Sequence, residues 1–238
     1  TEIVLDDTAA NDVFKWFTDP MVTFKRYLRF SFPTPLLREL EFALIDAQGQ
    51  PVAVQAILDV QCDDPNGPAL LFDEQQLIPQ NPSQLNSTYF DEIYHARTAW
   101  EHKSGMTPYE VTHPPLGKII IMLGISIFGM TPFGWRVAGA VFGILMVPMV
   151  YYLARQLLRS GKFAFVAAFM MCWDFMHFAQ TRIATIDVFA VFFILCMYYF
   201  MARYLRLSHP EADRRKRALM LALCGISFGL GAATKWTC

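Results

Sequence analysis

Charge is scarce in this chain. Only 17% of its 238 residues are Asp, Glu, Lys or Arg, against about 25% in a typical soluble domain. The charges nearly cancel, to a net −1. No basic patch interleaved with aromatics is present, so nucleic acid is not an expected partner. Cysteine is sparse too. None of the five cysteines stands in a CxxC or Cys/His zinc spacing, and three of them, Cys172, Cys196 and Cys224, sit inside apolar runs as small buried hydrophobes. A disulfide framework is not expected, and neither is a metal, because no ligand cluster shows. The polar start at Thr1 has no signal-peptide pattern, and the chain stops at AATKWTC as an apolar run finishes. We expect a piece of a longer membrane protein, with a spanning helix before Thr1.

What is abundant is apolar: 54% hydrophobic residues, with 21 Phe and 12 Met. The apolar residues concentrate late. Four runs, at about 135–154, 163–181, 186–202 and 218–234, are near the ~20 residues that cross a bilayer. Backbone groups in lipid must pair within the segment, so each run is expected to be a helix. The run after Gly117-Lys118, IIIMLGISIFGM, is short for a span and reads as a helix lying in the interface or re-entering from it. Four runs joined by short links argue against a soluble protein with buried helices.

The links set the orientation. Arg155, Arg159 and Lys162 join the first run to the second, and Arg203, Arg206, Arg214, Arg215, Lys216 and Arg217 lie between the third and fourth. Basic links stay on the cytoplasmic side. TRIATID, residues 1–134 and the C-terminal KWTC are then outside.

Residues 1–88 read as a separate extracytoplasmic β-rich region. ANDVFKWFTDPMVTFKRYLRF mixes aromatics and charge, as in an amphipathic helix followed by a strand, or an interfacial segment. LRELEFALID and PVAVQAILDV alternate apolar and polar residues around AQGQ, as a hairpin does. CDDPNGP is a loop by composition, LLFDEQQLI a candidate strand and PQNPSQ a linker. Asn86-Ser87-Thr88 fits a weak N-glycosylation pattern. Residues 89–134 form an outer loop region, with a helix over 89–104 that places Asp91, Tyr94, His95 and Thr98 on one face.

Under this topology the unusual polar groups gather at the outer end. They are Asp91, Glu92, His113, Lys118, Arg136, Arg182, Asp187 and Lys235. Two adjacent carboxylates at a membrane surface suit a general base and a substrate ligand. Nearby arginines suit the charge that develops on a leaving phosphate. Asp174 and His177 lie inside the second run, where an ionisable residue is costly and is either functional or a packing partner. His95 and Asp174 are secondary candidates. A transporter with a midplane site is a remote alternative, because the polar groups cluster at one end instead.

The pieces YFDEIYHARTAWE, THPPLGK, FGMTPFGWRVAGAVFGILMVPMVYYLAR, FAQTRIATIDVF and ATKWT occur in that order over about 89–238. Together they resemble the protein O-mannosyltransferase family. The resemblance implies a mainly α, polytopic membrane glycosyltransferase of GT-C type. It implies Asp91 as catalytic base and Glu92 as the acid that holds the acceptor. His113 and Lys118 line the site, Arg136 holds the outer loop or the phosphate, and Arg182 and Asp187 share the face. The expected reaction transfers mannose from a polyprenyl- or dolichyl-phosphate donor to Ser or Thr of exported polypeptides, with inversion and with no cofactor or metal. A relative that moves another sugar to a glycan or lipid is the alternative. The expected setting is multi-pass in a bacterial cell membrane. Sugar identity and oligomeric state are not written in these residues.

Overall fold

The computed structural model describes residues 2–4, 27–31, 42–58, 67–72, 75, 78–79, 81, 83, 85–207 and 213–238. The chain divides into two compact units, Thr1–Thr88 and Tyr89–Cys238.

In the first unit, β1 (Glu2–Val4) pairs in parallel with β2 (Arg29–Ser31). A helical turn, α1, spans Gly67–Leu70. The turn expected at AQGQ is present. Asp46 Oδ1 accepts from the backbone N–H groups of Gln48 and Gln50, Gly49 takes φ 79°, and Ile45 bridges Pro51. The hairpin ends there. Residues 51–58, which carry the alternating Val52, Val54 and Leu58, are all exposed. An alternating strand is fixed by a face that covers its apolar side, and among the described residues nothing covers this one. The expected β-rich region is therefore not supported. A small aromatic cluster holds what is present: Phe30 stacks on Phe42 at 5.2 Å, and Phe42 approaches Phe72 at 6.2 Å. The expected amphipathic stretch before Tyr27, and Cys62, lie outside the described residues. At the glycosylation pattern, the Asn86 amide donates to the Asn81 carbonyl and accepts from the Ser83 N–H.

The second unit is helical: α2 (Glu92–Lys103), α3 (Leu116–Phe128), α4 (Pro132–Leu158), α5 (Gly161–Cys172), α6 (Phe175–Gln180), α7 (Asp187–Arg206) and α8 (Arg214–Thr234). Three of these, α4, α7 and α8, are long and apolar enough to cross a membrane. Many of their large apolar side chains, and most of those on α5 and α6, point outward. Ile144, Phe165, Met170, Trp173 and Phe175 are among them. Such a surface suits contact with lipid or with further protein, not with water.

The second apolar run is not one helix. It breaks at Trp173 and Asp174, and Asp174, in extended backbone, accepts from the His177 N–H at 2.6 Å. An Asp in an apolar run finds its hydrogen bond by capping a new helix start. Four continuous spans were expected; three long helices and one interrupted pair are found. The short apolar helix α3 packs against α2, α4 and α8.

Close packing of small residues draws the link 181–186 into the bundle. A Cβ on Gly143 would lie 2.5 Å from Thr181 Cβ, and one on Gly139 would lie 3.2 Å from the Ile183 carbonyl. A Cβ on Gly117 of α3 would meet Ile186 Cγ2 at 2.6 Å. The core beneath comprises Ala96, Ala99, Ile121, Ile125, Trp135, Ala184, Ile186 and Phe189. Edge-to-face contacts of Phe142 with Phe189 and Phe192, at 4.9 and 5.0 Å, continue it down α4 and α7. The result is a bundle with two distinct ends. The starts of α2, α4 and α7 and the end of α8 meet at one; the ends of α4 and α7 meet at the other.

Candidate active site

Glu92 is the knot of the first end. Its side chain is fully buried, and Arg136 grips it with two bonds, Nε to Oε1 at 2.7 Å and a terminal nitrogen to Oε2 at 2.6 Å. The backbone N–H groups of Ala184 and Tyr89 add one bond to each oxygen, both at 2.8 Å. One carboxylate thus joins the start of α2, the start of α4 and the link before α7. Buried ion pairs endure only with this degree of satisfaction.

Asp91 is the N-cap residue of α2, yet its side chain makes no capping bond. Among the described residues no donor reaches its carboxylate. The preceding Phe90 holds φ 56°, a left-handed backbone rare for a bulky side chain. It turns the chain sharply into the helix at the residue before the acid. Burial raises the Asp91 pKa above its ordinary value, and the Asp187 carboxylate raises it further, against opposing effects of Lys235 and His113. These four groups, from α2, the 105–115 loop, α7 and the end of α8, therefore share one electrostatic field. Lys235 Nζ donates to Asp187 Oδ1 at 2.6 Å.

The loop between α2 and α3 is fastened from several sides. Thr98 Oγ1 accepts from the Glu110 N–H at 3.1 Å, and Glu101 Oε2 from the Tyr109 N–H at 2.6 Å. The Arg97 guanidinium sits 4.1 Å over the Tyr109 ring, and Tyr94 stacks on the same ring. Lys118 is 1% exposed. Its ammonium pairs with the Glu110 carboxylate and donates to the carbonyls of Glu110 and His113, at 2.8 and 3.0 Å. Glu110 also accepts from the backbone N–H groups of Thr112 and His113. Burial alone would push its pKa up, but the bonds from Lys118 and Thr112 and the Lys118 charge outweigh it and hold it at about 2. Trp236 Nε1 donates to the Thr112 carbonyl at 2.8 Å and ties the end of α8 to the loop.

His95 is buried, 4.0 Å from Glu110 through Nδ1. Burial drops its pKa to about 4 despite the pull of Glu110, so the ring is neutral near pH 7. Its centroid is 6.5 Å from that of His113. The nitrogens His95 Nδ1 and His113 Nδ1 are buried with no hydrogen-bond partner among the described residues.

The sequence candidates therefore divide. His113, Asp187 and Lys235 act on Asp91. Glu92 and Arg136 bind each other, and Lys118 is consumed by the loop. Arg182 is exposed, with its guanidinium 4.8 Å over the Phe178 ring and no ion pair among the described residues. His95 lies behind His113. Asp174 is the exposed cap of α6 rather than a buried group within a span. Glu110 and Trp236 were not anticipated. Glu110 stands in a proline-broken loop without periodicity, and the partner of Trp236 is 124 residues away.

Residues 126–238 match the family described as dolichyl-phosphate-mannose-protein mannosyltransferase. The polyprenol-phosphate-mannose–protein mannosyltransferase of Mycolicibacterium smegmatis is 31% identical over 179 residues, covering 66% of this chain and 34% of that protein. Over these residues the chain is similar to the protein O-mannosyltransferase family. The family match includes Arg136, Arg182, Asp187 and Lys235 and begins after Asp91. The Mycobacterium tuberculosis protein of the same name is also 31% identical, over 153 residues, covering 62% of this chain and 27% of that protein. The chain thus spans about a third of the length of these relatives. Among solved structures, ArnT from Cupriavidus metallidurans in the apo state superposes with a TM-score of 0.53 at 20% identity, over 62% of this chain and 28% of that one. That likeness is one of fold, and it supports a polytopic helical protein of GT-C type. Together with three helices able to cross a bilayer, these relatives make the chain part of an integral membrane protein.

Proposed function

We propose that this chain forms the catalytic end of a transferase that moves mannose from a polyprenyl- or dolichyl-phosphate carrier to Ser or Thr hydroxyls of exported polypeptides. The observation that carries the reading is Asp91: a carboxylate that no donor among the described residues reaches, raised in pKa, at the bundle end where Asp187, Lys235 and His113 converge.

Asp91 takes the proton of the acceptor hydroxyl. The oxygen attacks C1 of the sugar from the side opposite the phosphate, the C1–O bond to the phosphate breaks, and the lipid phosphate leaves with the electron pair. The anomeric centre inverts. A raised pKa strengthens a carboxylate as a base, provided it stays ionised at the working pH. Arg182, exposed and without an ion pair among the described residues, and Lys235 at the mouth meet the leaving charge. In this reading the other candidates act by position. Glu92 and Arg136 fix the start of α2, and hence Asp91, against α4. Lys118 and Glu110 fix the loop that carries His113. Charge compensation falls to side chains, with no metal or cofactor assigned. The catalytic end faces the extracytoplasmic side of a bacterial cell membrane, as the basic links at the opposite end support.

The test is a transfer assay with the full-length protein, a Ser/Thr acceptor peptide and polyprenyl-phosphate sugars, run with and without a chelator. Transfer from the mannose donor, insensitive to chelation, is expected. Transfer only from another sugar, or only to a glycan or lipid, contradicts the assignment.

A further inference from the structure

The opposite end of the bundle holds a second feature that sugar transfer does not use. Tyr152, Arg155 and Gln156 follow one another at i, i+3 and i+4 on α4, with Arg159 capping its end, and Tyr199, Arg203 and Arg206 at i, i+4 and i+7 on α7. These spacings put each set on one helix face, and the two faces line a single cleft of about 500 Å³. An Arg206 terminal nitrogen donates to the Gln156 carbonyl across the cleft and clamps the helices together. Arg159 ends α4 in left-handed backbone, φ 54°, with its N–H on the Arg155 carbonyl.

Four guanidinium groups line the cleft and, among the described residues, no carboxylate does. Among the described residues, Arg155, Arg159 and Arg203 make no side-chain hydrogen bond or ion pair. Arginines that serve only as topological signals need not converge; Arg214, Arg215 and Arg217 at the start of α8 lie outside the cleft. The two helix C-termini contribute partial negative charge, which four full positive charges exceed. Depth fixes what the cleft can meet. Arg155 is 19 residues along α4 from Arg136, about 28 Å at the helical rise, close to the ~30 Å hydrocarbon thickness of a bilayer. With Arg136 at one surface, the cleft sits at the headgroup level of the other. Planar guanidinium forks match the oxygens of a phosphate, and basic pockets between spans at the cytoplasmic side suit anionic headgroups.

We propose that the cleft between the C-terminal ends of α4 and α7 binds the phosphate of an anionic glycerophospholipid in the leaflet opposite the catalytic end. The site is separate from the donor's phosphate, which is handled at the other surface. It gives the enzyme a lipid that seats these two helix ends together.

The test uses the full-length protein in detergent and follows thermal unfolding during titration with short-chain phosphatidylglycerol, phosphatidylcholine or inorganic phosphate. Phosphatidylglycerol should stabilise the protein, and the other two should not. R155Q/R203Q should raise the half-saturating phosphatidylglycerol concentration roughly 30-fold, on the scale of two lost surface cations. R159Q/R206Q should do the same and serves if the first pair fails to fold. R214Q/R215Q, outside the cleft, should leave it unchanged. Equal stabilisation by phosphatidylcholine or by inorganic phosphate overturns the lipid assignment. An unchanged half-saturation in both cleft variants, or an equal loss in R214Q/R215Q, overturns the cleft.

Discussion

Asp91 and Glu92 are neighbours in sequence with opposite environments. Glu92 accepts four hydrogen bonds and is closed to solvent; Asp91 accepts none from the described residues and is partly exposed. On the proposed mechanism, that contrast separates a positioning acid from a reacting one. It also makes a pH prediction. Burial and the Asp187 charge raise the Asp91 pKa, and the base must be ionised, so kcat/KM should fall as pH drops through that raised value. Asp187→Asn removes the repulsive charge and releases Lys235, and both changes lower the Asp91 pKa. The acid limb of the kcat/KM profile should therefore move to lower pH in Asp187→Asn and stay in place in Asp174→Asn. An unmoved limb in Asp187→Asn would break the link between the two acids. The sequence marked both acids but not their division, because the deciding partner, Arg136, is 44 residues away and no spacing rule joins them. The partners of Lys118 were hidden for a related reason: a lysine opening an apolar helix looks accessible, and only the folded loop shows its ammonium on Glu110 and His113.

At the scale of elements, periodicity predicted α2 well. His95 and Thr98 share its buried face, one helical turn apart. Periodicity was silent on Asp174, since a lone acid in an apolar run looks the same whether it packs within a helix or starts a new one. In the first unit, the turn chemistry around Asp46 and Gly49 was legible, whereas the alternation beyond it had no covering face to fix a strand. The link that carries Arg182 and Asp187 owes its seat to missing side chains on α4. Gly143→Ala places a carbon where Thr181 already stands. Overpacking of this kind typically costs about 1–3 kcal/mol. Thermal unfolding of the full-length protein should show that loss, and Thr181→Gly in the same molecule should restore part of it. Wild-type stability in Gly143→Ala would mean that the link is not packed as described.

At the largest scale, the two ends of the helical unit carry different chemistry: acids, imidazole and Lys235 at one, an arginine-lined cleft at the other. The sequence revealed this polarity through charge bias in the links, before any contact was known. The bias also assigns sides, and labelling checks that assignment. With native cysteines replaced, Tyr109→Cys should react with a membrane-impermeant maleimide on intact cells, and Lys162→Cys only after permeabilisation. Equal reactivity, or the reverse order, would turn the protein over in the membrane and remove the exported acceptor.

The central claim is that Asp91 is the base, and the most direct measurement is transfer by Asp91→Asn in the full-length protein with a polyprenyl-phosphate mannose donor and an acceptor peptide. The substitution keeps size and shape and touches no hydrogen bond in the described structure. Expression, membrane insertion and thermal stability should match wild type, while kcat falls by about 10²–10⁴-fold, the usual contribution of a general base. Transfer at the wild-type rate by a normally folded Asp91→Asn protein would contradict the account.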